Sequence, residues 1–147
     1  KEMLKNPRVI GVKNSSMPVQ DIQMWKDEGA IVFNGPDEQF VGGRLIGAEG
    51  GIGGTYAVMP ELYIKMDELI KKGENEKALE LQDAANEVTY TMCSAKGNMY
   101  AVAKAVLNKR AGLELGGVRA PLLNLEEGDE AIVEKAFDLV NKALALF

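Results

Sequence analysis

Lys13 closes the apolar run Val9-Ile10-Gly11-Val12 and is followed by Asn14-Ser15-Ser16. A lysine held beside apolar walls loses its charge more readily, and a neutral amine can attack a ketone to form a Schiff base. The ordinary alternative is a solvated lysine at the end of a strand. Further along, Phe33-Asn34-Gly35-Pro36-Asp37-Glu38 sets two adjacent carboxylates just past a second apolar run. They suit acceptance of hydrogen bonds from substrate hydroxyls, and they equally suit a helix N-terminus, where exposed amides and the macrodipole favour Asp and Glu. Gly50-Gly51-Ile52-Gly53-Gly54-Thr55 looks at first like a phosphate cradle, yet it meets neither the G-x-G-x-x-G spacing nor that of a P-loop with its lysine. Glycines in a strand mark close approach of another backbone or a ligand, here a small carboxylate or ketone at backbone amides.

Composition narrows the chemistry. The 147 residues contain no histidine and one cysteine, Cys93, which excludes Ser-His-Asp and Cys-His catalysis, His-ligated zinc and an internal disulfide. Lys, Tyr, Ser, Thr and the carboxylates remain. The net charge is −5 and no basic run occurs, so nucleic acid is not expected as a partner. No apolar stretch approaches the roughly 18 to 20 residues of a membrane span, so a soluble cytoplasmic protein with no membrane partner is expected. The chain opens at Lys1 in helix-like residues that lead at once into a strand, as if cut from something longer.

The elements that must position these groups alternate. Strands are predicted at Val9–Lys13, Ala30–Phe33 and the glycine-rich Ala48–Gly54. Helices follow each. The first starts with Ser16 as cap and Pro18 early, and carries Val19, Ile22 and Trp25 on one face up to Gly29. The second is capped by Asp37 and runs from about Glu38 to Leu45, with Gly47 closing it. The third runs from about Tyr56 to Lys72. From Glu74 onward only helices are predicted, at about Glu76–Met92, Asn98–Ala111 with Gly112 as its stop, and from Asp129 with Ile132, Val133, Ala136, Phe137 and Val140 inward. Met17, Met24, Met59, Met66, Met92 and Met99 read as core filler, Trp25 as packing, and Cys93 as a buried or bystander thiol. Three parallel strands leave two open edges, so this α/β pattern suits the closing part of a βα barrel, whose catalytic rim is the C-terminal ends of its strands. Residues 1–73 then form three βα units and residues 74–147 a helical extension.

Three motifs in register, Val9 to Ser16, Phe33 to Glu38 and Gly47 to Tyr56, make the chain resemble the N-acetylneuraminate lyase and dihydrodipicolinate synthase family. The resemblance covers the family's C-terminal half. It implies strands six to eight of a (β/α)8 TIM barrel followed by extra C-terminal helices, in a class I aldolase that works through a lysine Schiff base with pyruvate. Lys13 matches the Schiff-base lysine and Ser15 the hydroxyl residue two positions on. Gly35, Asp37 and Glu38 match positions holding the polyhydroxy portion of the substrate, and Ile52 the residue whose backbone lies beside pyruvate. Gly54 stands where the lyases usually have a serine contacting the sugar tail, and Glu49 where an aspartate is common. Asn-Gly-x-Asp-Glu and Gly-Gly-Ile-Gly-x-Thr-Tyr resemble the lyases more than the synthases. The implied substrate is a sialic acid or a related 2-keto acid, with condensation of pyruvate and aspartate semialdehyde as the alternative. No metal or organic cofactor is implied. The family's carboxylate-binding loop and catalytic tyrosine belong to the other half, and Tyr56, Tyr63, Tyr90 and Tyr100 do not match that tyrosine. A homotetramer is implied for the complete enzyme, and an inactive half-barrel for this chain without its missing N-terminal half.

Overall fold

The computed structural model describes residues 1–147. Three strands form one parallel sheet in the order β1-β2-β3, with β1 at Gly11–Asn14, β2 at Ile31–Asn34 and β3 at Gly50–Gly51. Parallel pairing demands a crossover between strands, and helices supply it: α1 (Gln20–Asp27) between β1 and β2, and α2 (Phe40–Ile46) between β2 and β3. Then come α3 (Pro60–Lys71), α4 (Asn75–Cys93), α5 (Met99–Ala111) and α6 (Asp129–Leu144). The α/β alternation and the all-helical remainder are as the residue periodicity predicts.

β1 and β2 are shifted by one or two residues from the expected strands, and four further differences each have a local reason. Ser16 does not cap α1, whose N-cap is Val19; its hydroxyl instead lies 2.6 Å from Asp21 Oδ2. Asp37 does not cap α2 either, because Asp37–Gln39 forms a 3-10 turn and the helix begins at Phe40. The third helix starts at Pro60 rather than Tyr56, since proline lacks the N–H that a first-turn residue leaves unused. β3 contracts to two glycines, although Glu49 N–H donates to Val32 O at 2.8 Å and Ile52 N–H to Asn34 O at 2.9 Å on either side of it.

The chain divides into two compact units, Lys1–Gly53 with Tyr63–Gln82, and Gly54–Leu62 with Asp83–Phe147. In the first, alternate strand residues face opposite sides. Val12, Asn14, Val32 and Asn34 turn toward α1 and α2, where Ile22, Ala30, Val32 and Ala48 form a buried cluster. Lys13, Ile31 and Phe33 occupy the other face and are exposed. In the second unit α5 packs on α6 through Val102, Val106, Val133, Ala136 and Val140, all buried. Asn98 caps α5 by accepting the Tyr100 N–H at 3.0 Å, and Gly112 ends it in the left-handed region. Met59, Met66 and Met92 are core residues as predicted, whereas Met17 and Met24 are exposed, as is Cys93. No helix is long and apolar enough to cross a membrane.

Candidate active site

Lys13 sits one residue before the C-terminal end of β1, on the sheet face away from the helices. Register pairs it with Phe33 on β2, and Phe33 with Gly50 on β3, so the three form one row across the sheet. A Cβ on Gly50 would lie 3.4 Å from the Phe33 ring, in ordinary contact with it. Gly11, Val12, Ile31 and Phe33 join Lys13 in lining an open groove of about 460 Å³. Arg8 lines the same groove, and Lys13 itself is exposed.

The next layer consists of the loops that leave the strands. Gly35 N–H donates to Asn14 O at 2.8 Å, and Ile52 N–H donates to Asn34 O at 2.9 Å. A Cβ on Gly35 would lie 2.5 Å from Asn14 O and 2.7 Å from Ser15 Oγ. Only glycine lets the two loops touch, which brings Ser15 and Gly35 together. Ser15 and Ile52 are exposed beside the row headed by Lys13. Asp37 is buried, and its carbonyl accepts from Gln82 Nε2 at 3.1 Å while Gln82 Oε1 accepts the Val41 N–H at 2.9 Å. Glu38 is half-buried. Gln82, remote in sequence, thus fixes the turn that carries both carboxylates, and no local pattern announces it.

Arg44 anchors the entry to β3. It pairs with Asp67 Oδ1 at 2.7 Å and donates to Ala48 O, tying α2 and α3 to the strand that leads to Ile52. Burial pushes the Asp67 carboxyl up, but hydrogen bonds from Lys71 and Arg44 outweigh it and hold the group below the usual carboxylate range.

Gly54 belongs to the second unit, and Lys13 and the residues beside it belong to the first. A Cβ there would lie 2.8 Å from Cε1 and Oη of Tyr100. The end of the half-exposed Tyr100 side chain lies in the space a side chain would take at this position, where the resemblance leads one to expect serine. Asn14 and Asn34, which follow Lys13 and Phe33 at matching places, are buried register partners on the opposite face of the sheet. No group of three or more His, Cys, Asp and Glu side chains is placed to hold a metal ion.

Residues 1–139 match the family described as Dihydrodipicolinate synthetase family. The chain belongs to that family. It is 59% identical to an N-acetylneuraminate lyase of Mediterraneibacter gnavus, over 99% of this chain and 47% of the relative. An N-acetylneuraminate lyase of Rhizobium meliloti is 34% identical over 92% of this chain and 45% of its own length. A solved structure of a catalytic lysine mutant of the Ruminococcus gnavus sialic acid aldolase superposes with a TM-score of 0.96 at 58% identity, covering 99% of this chain and 49% of that one. The chain spans about half the length of the relatives it matches, corresponds to their C-terminal half, and has the fold of the closing part of a (β/α)8 barrel.

Proposed function

We propose that this chain supplies the nucleophile-bearing half of an aldolase that cleaves N-acetylneuraminate, or a closely related 2-keto acid, to pyruvate and N-acetylmannosamine. The observation that carries this reading is the position of Lys13: a strand-end amine on the open face of the sheet, with the Ser15, Gly35 and Ile52 loops joined beside it. Strand ends are where βα-barrel enzymes keep their chemistry. A relative with 58% identity is described as having a catalytic lysine, which supports the same choice.

In the reaction, the neutral Nζ of Lys13 attacks the C2 ketone of the open-chain substrate, and loss of water gives a protonated imine. The C3–C4 bond then breaks, its electron pair moves into the imine to give an enamine, and the proton of the C4 hydroxyl passes to a base outside this chain. Protonation of the enamine at C3 and hydrolysis of the imine release pyruvate and restore Lys13. Ser15 and the Ile52 backbone hold the pyruvate end; Gly35, Asp37 and Glu38 meet the sugar hydroxyls. Gly54 matches the position that in the lyases contacts the sugar tail, here without a side chain to do so. Residues 1–73 act as strands six to eight of the barrel with their helices and residues 74–147 as a helical extension. The complete enzyme is a cytoplasmic homotetramer that also needs the other half of the barrel.

Borohydride reduction in the presence of pyruvate tests this, read by intact mass and peptide mapping. In the complete barrel the reduced adduct is expected on Lys13, and none on this chain alone. An adduct on another lysine, or none in the complete barrel, overturns the assignment.

A further inference from the structure

Past Lys13 the alternation of the strand continues into the loop: Lys13 is exposed, Asn14 buried, Ser15 exposed and Ser16 half-buried. Lys13 and Ser15 therefore face one side, and Asn14 and Ser16 face α1 on the other. Two side chains of α1 reach them. Asp21 lies in its first turn and Trp25 one turn further on, on the same face. Trp25 Nε1 donates to Asn14 Oδ1 at 3.3 Å. The Ser16 hydroxyl is shared between Asp21 Oδ2 at 2.6 Å and Asn14 Oδ1 at 3.0 Å. Asn14 is 5% exposed and its Nδ2 has no partner, so Oδ1 is the end by which its amide is held. The spacings agree. Four residues of helix advance about 6 Å and two residues of strand about 6.6 Å, so one face of α1 meets both residues that flank Ser15.

We propose that Trp25, Ser16 and Asp21 are positioning residues: they clamp Asn14 and Ser16, on either side of Ser15, so that the Ser15 hydroxyl is presented on the same face as Lys13. The inference rests on Lys13 being the Schiff-base nucleophile and on Ser15 holding the pyruvate end. Ser15 is exposed, so its place is set through its neighbours. A loop held at the residues before and after its functional group has less conformational freedom to lose when substrate binds. The neighbouring loop closes on the same hydroxyl, since a Cβ on Gly35 would lie 2.7 Å from Ser15 Oγ. The clamp also explains why Ser16 does not cap α1: its hydroxyl engages a carboxylate of the first turn instead of the first-turn amides.

The test uses the complete barrel and borohydride trapping at limiting pyruvate. Ser16→Ala removes the shared hydroxyl, and Trp25→Phe removes the indole N–H while keeping an aromatic ring. Each is expected to slow trapping by roughly 10- to 100-fold, the scale of a small misplacement of a binding group. Ser16→Thr, which keeps a hydroxyl, should recover most of the loss. Ser15→Ala supplies the readout that a merely structural role would not move. Once the presented hydroxyl is gone, adding Ser16→Ala should slow trapping by less than about twofold more, while it lowers the melting temperature equally in both backgrounds. Effects on trapping that multiply in the double variant, or trapping unchanged in Ser16→Ala while only the melting temperature falls, would overturn the proposal. Wild type that forms no adduct on Lys13, or Ser15→Ala that traps at the wild-type rate, removes the reading beneath it. A normal wild-type adduct, with Ser15→Ala slow and Ser16→Ala at the wild-type rate, removes the clamp alone.

Discussion

Asp129 and the Asn14–Asn34 pair are both buried polar groups, one in each unit, and they are finished to different degrees. Asp129, 2% exposed, accepts the backbone N–H groups of Lys96, Gly97 and Glu126, each at 2.9 Å. It ties the turn between α4 and α5 to the start of α6, and those N–H groups hold its carboxyl below the usual range. At the strand ends of the first unit, two amide atoms stay unmatched and Ile31 and Phe33 stand open on the strand face. The carboxylate of the helical unit closes on its own backbone, whereas two amide atoms behind the sheet do not.

The largest expected effect that could break this contrast is at Lys13. Lys13→Ala in the complete barrel should lower turnover by at least about 10³-fold and leave the melting temperature nearly unchanged, because the residue is exposed on the strand face. A large drop in melting temperature would make Lys13 a structural residue. Asp129→Asn should do the reverse, lowering the melting temperature by roughly 5 °C at pH 7 with little change in kcat. Its folded pKa is depressed, so its stabilisation is present above the unfolded value near 3.9 and is lost as pH falls through the folded value. Melting temperatures of wild type and Asp129→Asn should therefore converge below about pH 4. Curves that stay parallel there would mean that the carboxylate charge contributes nothing.

Legibility followed the same division. Element types were readable because apolar spacing changes from runs in the first third to helical periodicity after Glu74, and the three motifs in register named the family. The place of Lys13 near the end of β1 was readable because it interrupts an apolar run there. What stayed hidden depends on neighbours remote in sequence. Asp37 looks like a helix cap, but Gln82 holds its turn and the helix waits for Phe40. Gly54 looks like a missing serine until Tyr100 is seen in its space. Asn14 and Asn34 read as turn residues, since an asparagine after a strand usually begins a loop; their burial follows from the helices packed behind them.

Two glycines sharpen the comparison at smaller amplitude. At Gly35 an added methyl group meets Asn14 O and Ser15, which the strand pairing holds, so Gly35→Ala should cost about 1 to 3 kcal/mol and slow turnover. At Gly54 the obstacle is the end of the half-exposed Tyr100 side chain, which can swing outward, so Gly54→Ala should cost under about 1 kcal/mol. Equal losses in denaturant titrations would show that the loop at Gly35 is no more rigid than the ring at Gly54.

The smallest effect belongs to Asp67. Its pair with Arg44 is partly shielded, with side-chain exposures of 25% and 12%, and Lys71 Nζ competes for the same carboxylate at 2.6 Å. Solvent screening and a second cation that can take over limit the loss, so Asp67→Asn should cost about 1 kcal/mol or less in denaturant titrations at pH 7. Because the folded carboxyl lies below its ordinary range, that contribution exists above the unfolded pKa and vanishes as pH falls through the folded one. Arg44 would keep its bond to Ala48 O in the variant, so trapping at Lys13 should proceed at the wild-type rate. A clear slowing of trapping would mean that the ion pair holds the Ile52 loop in place, extending the positioning groups of the sheet unit from the strand ends to α3.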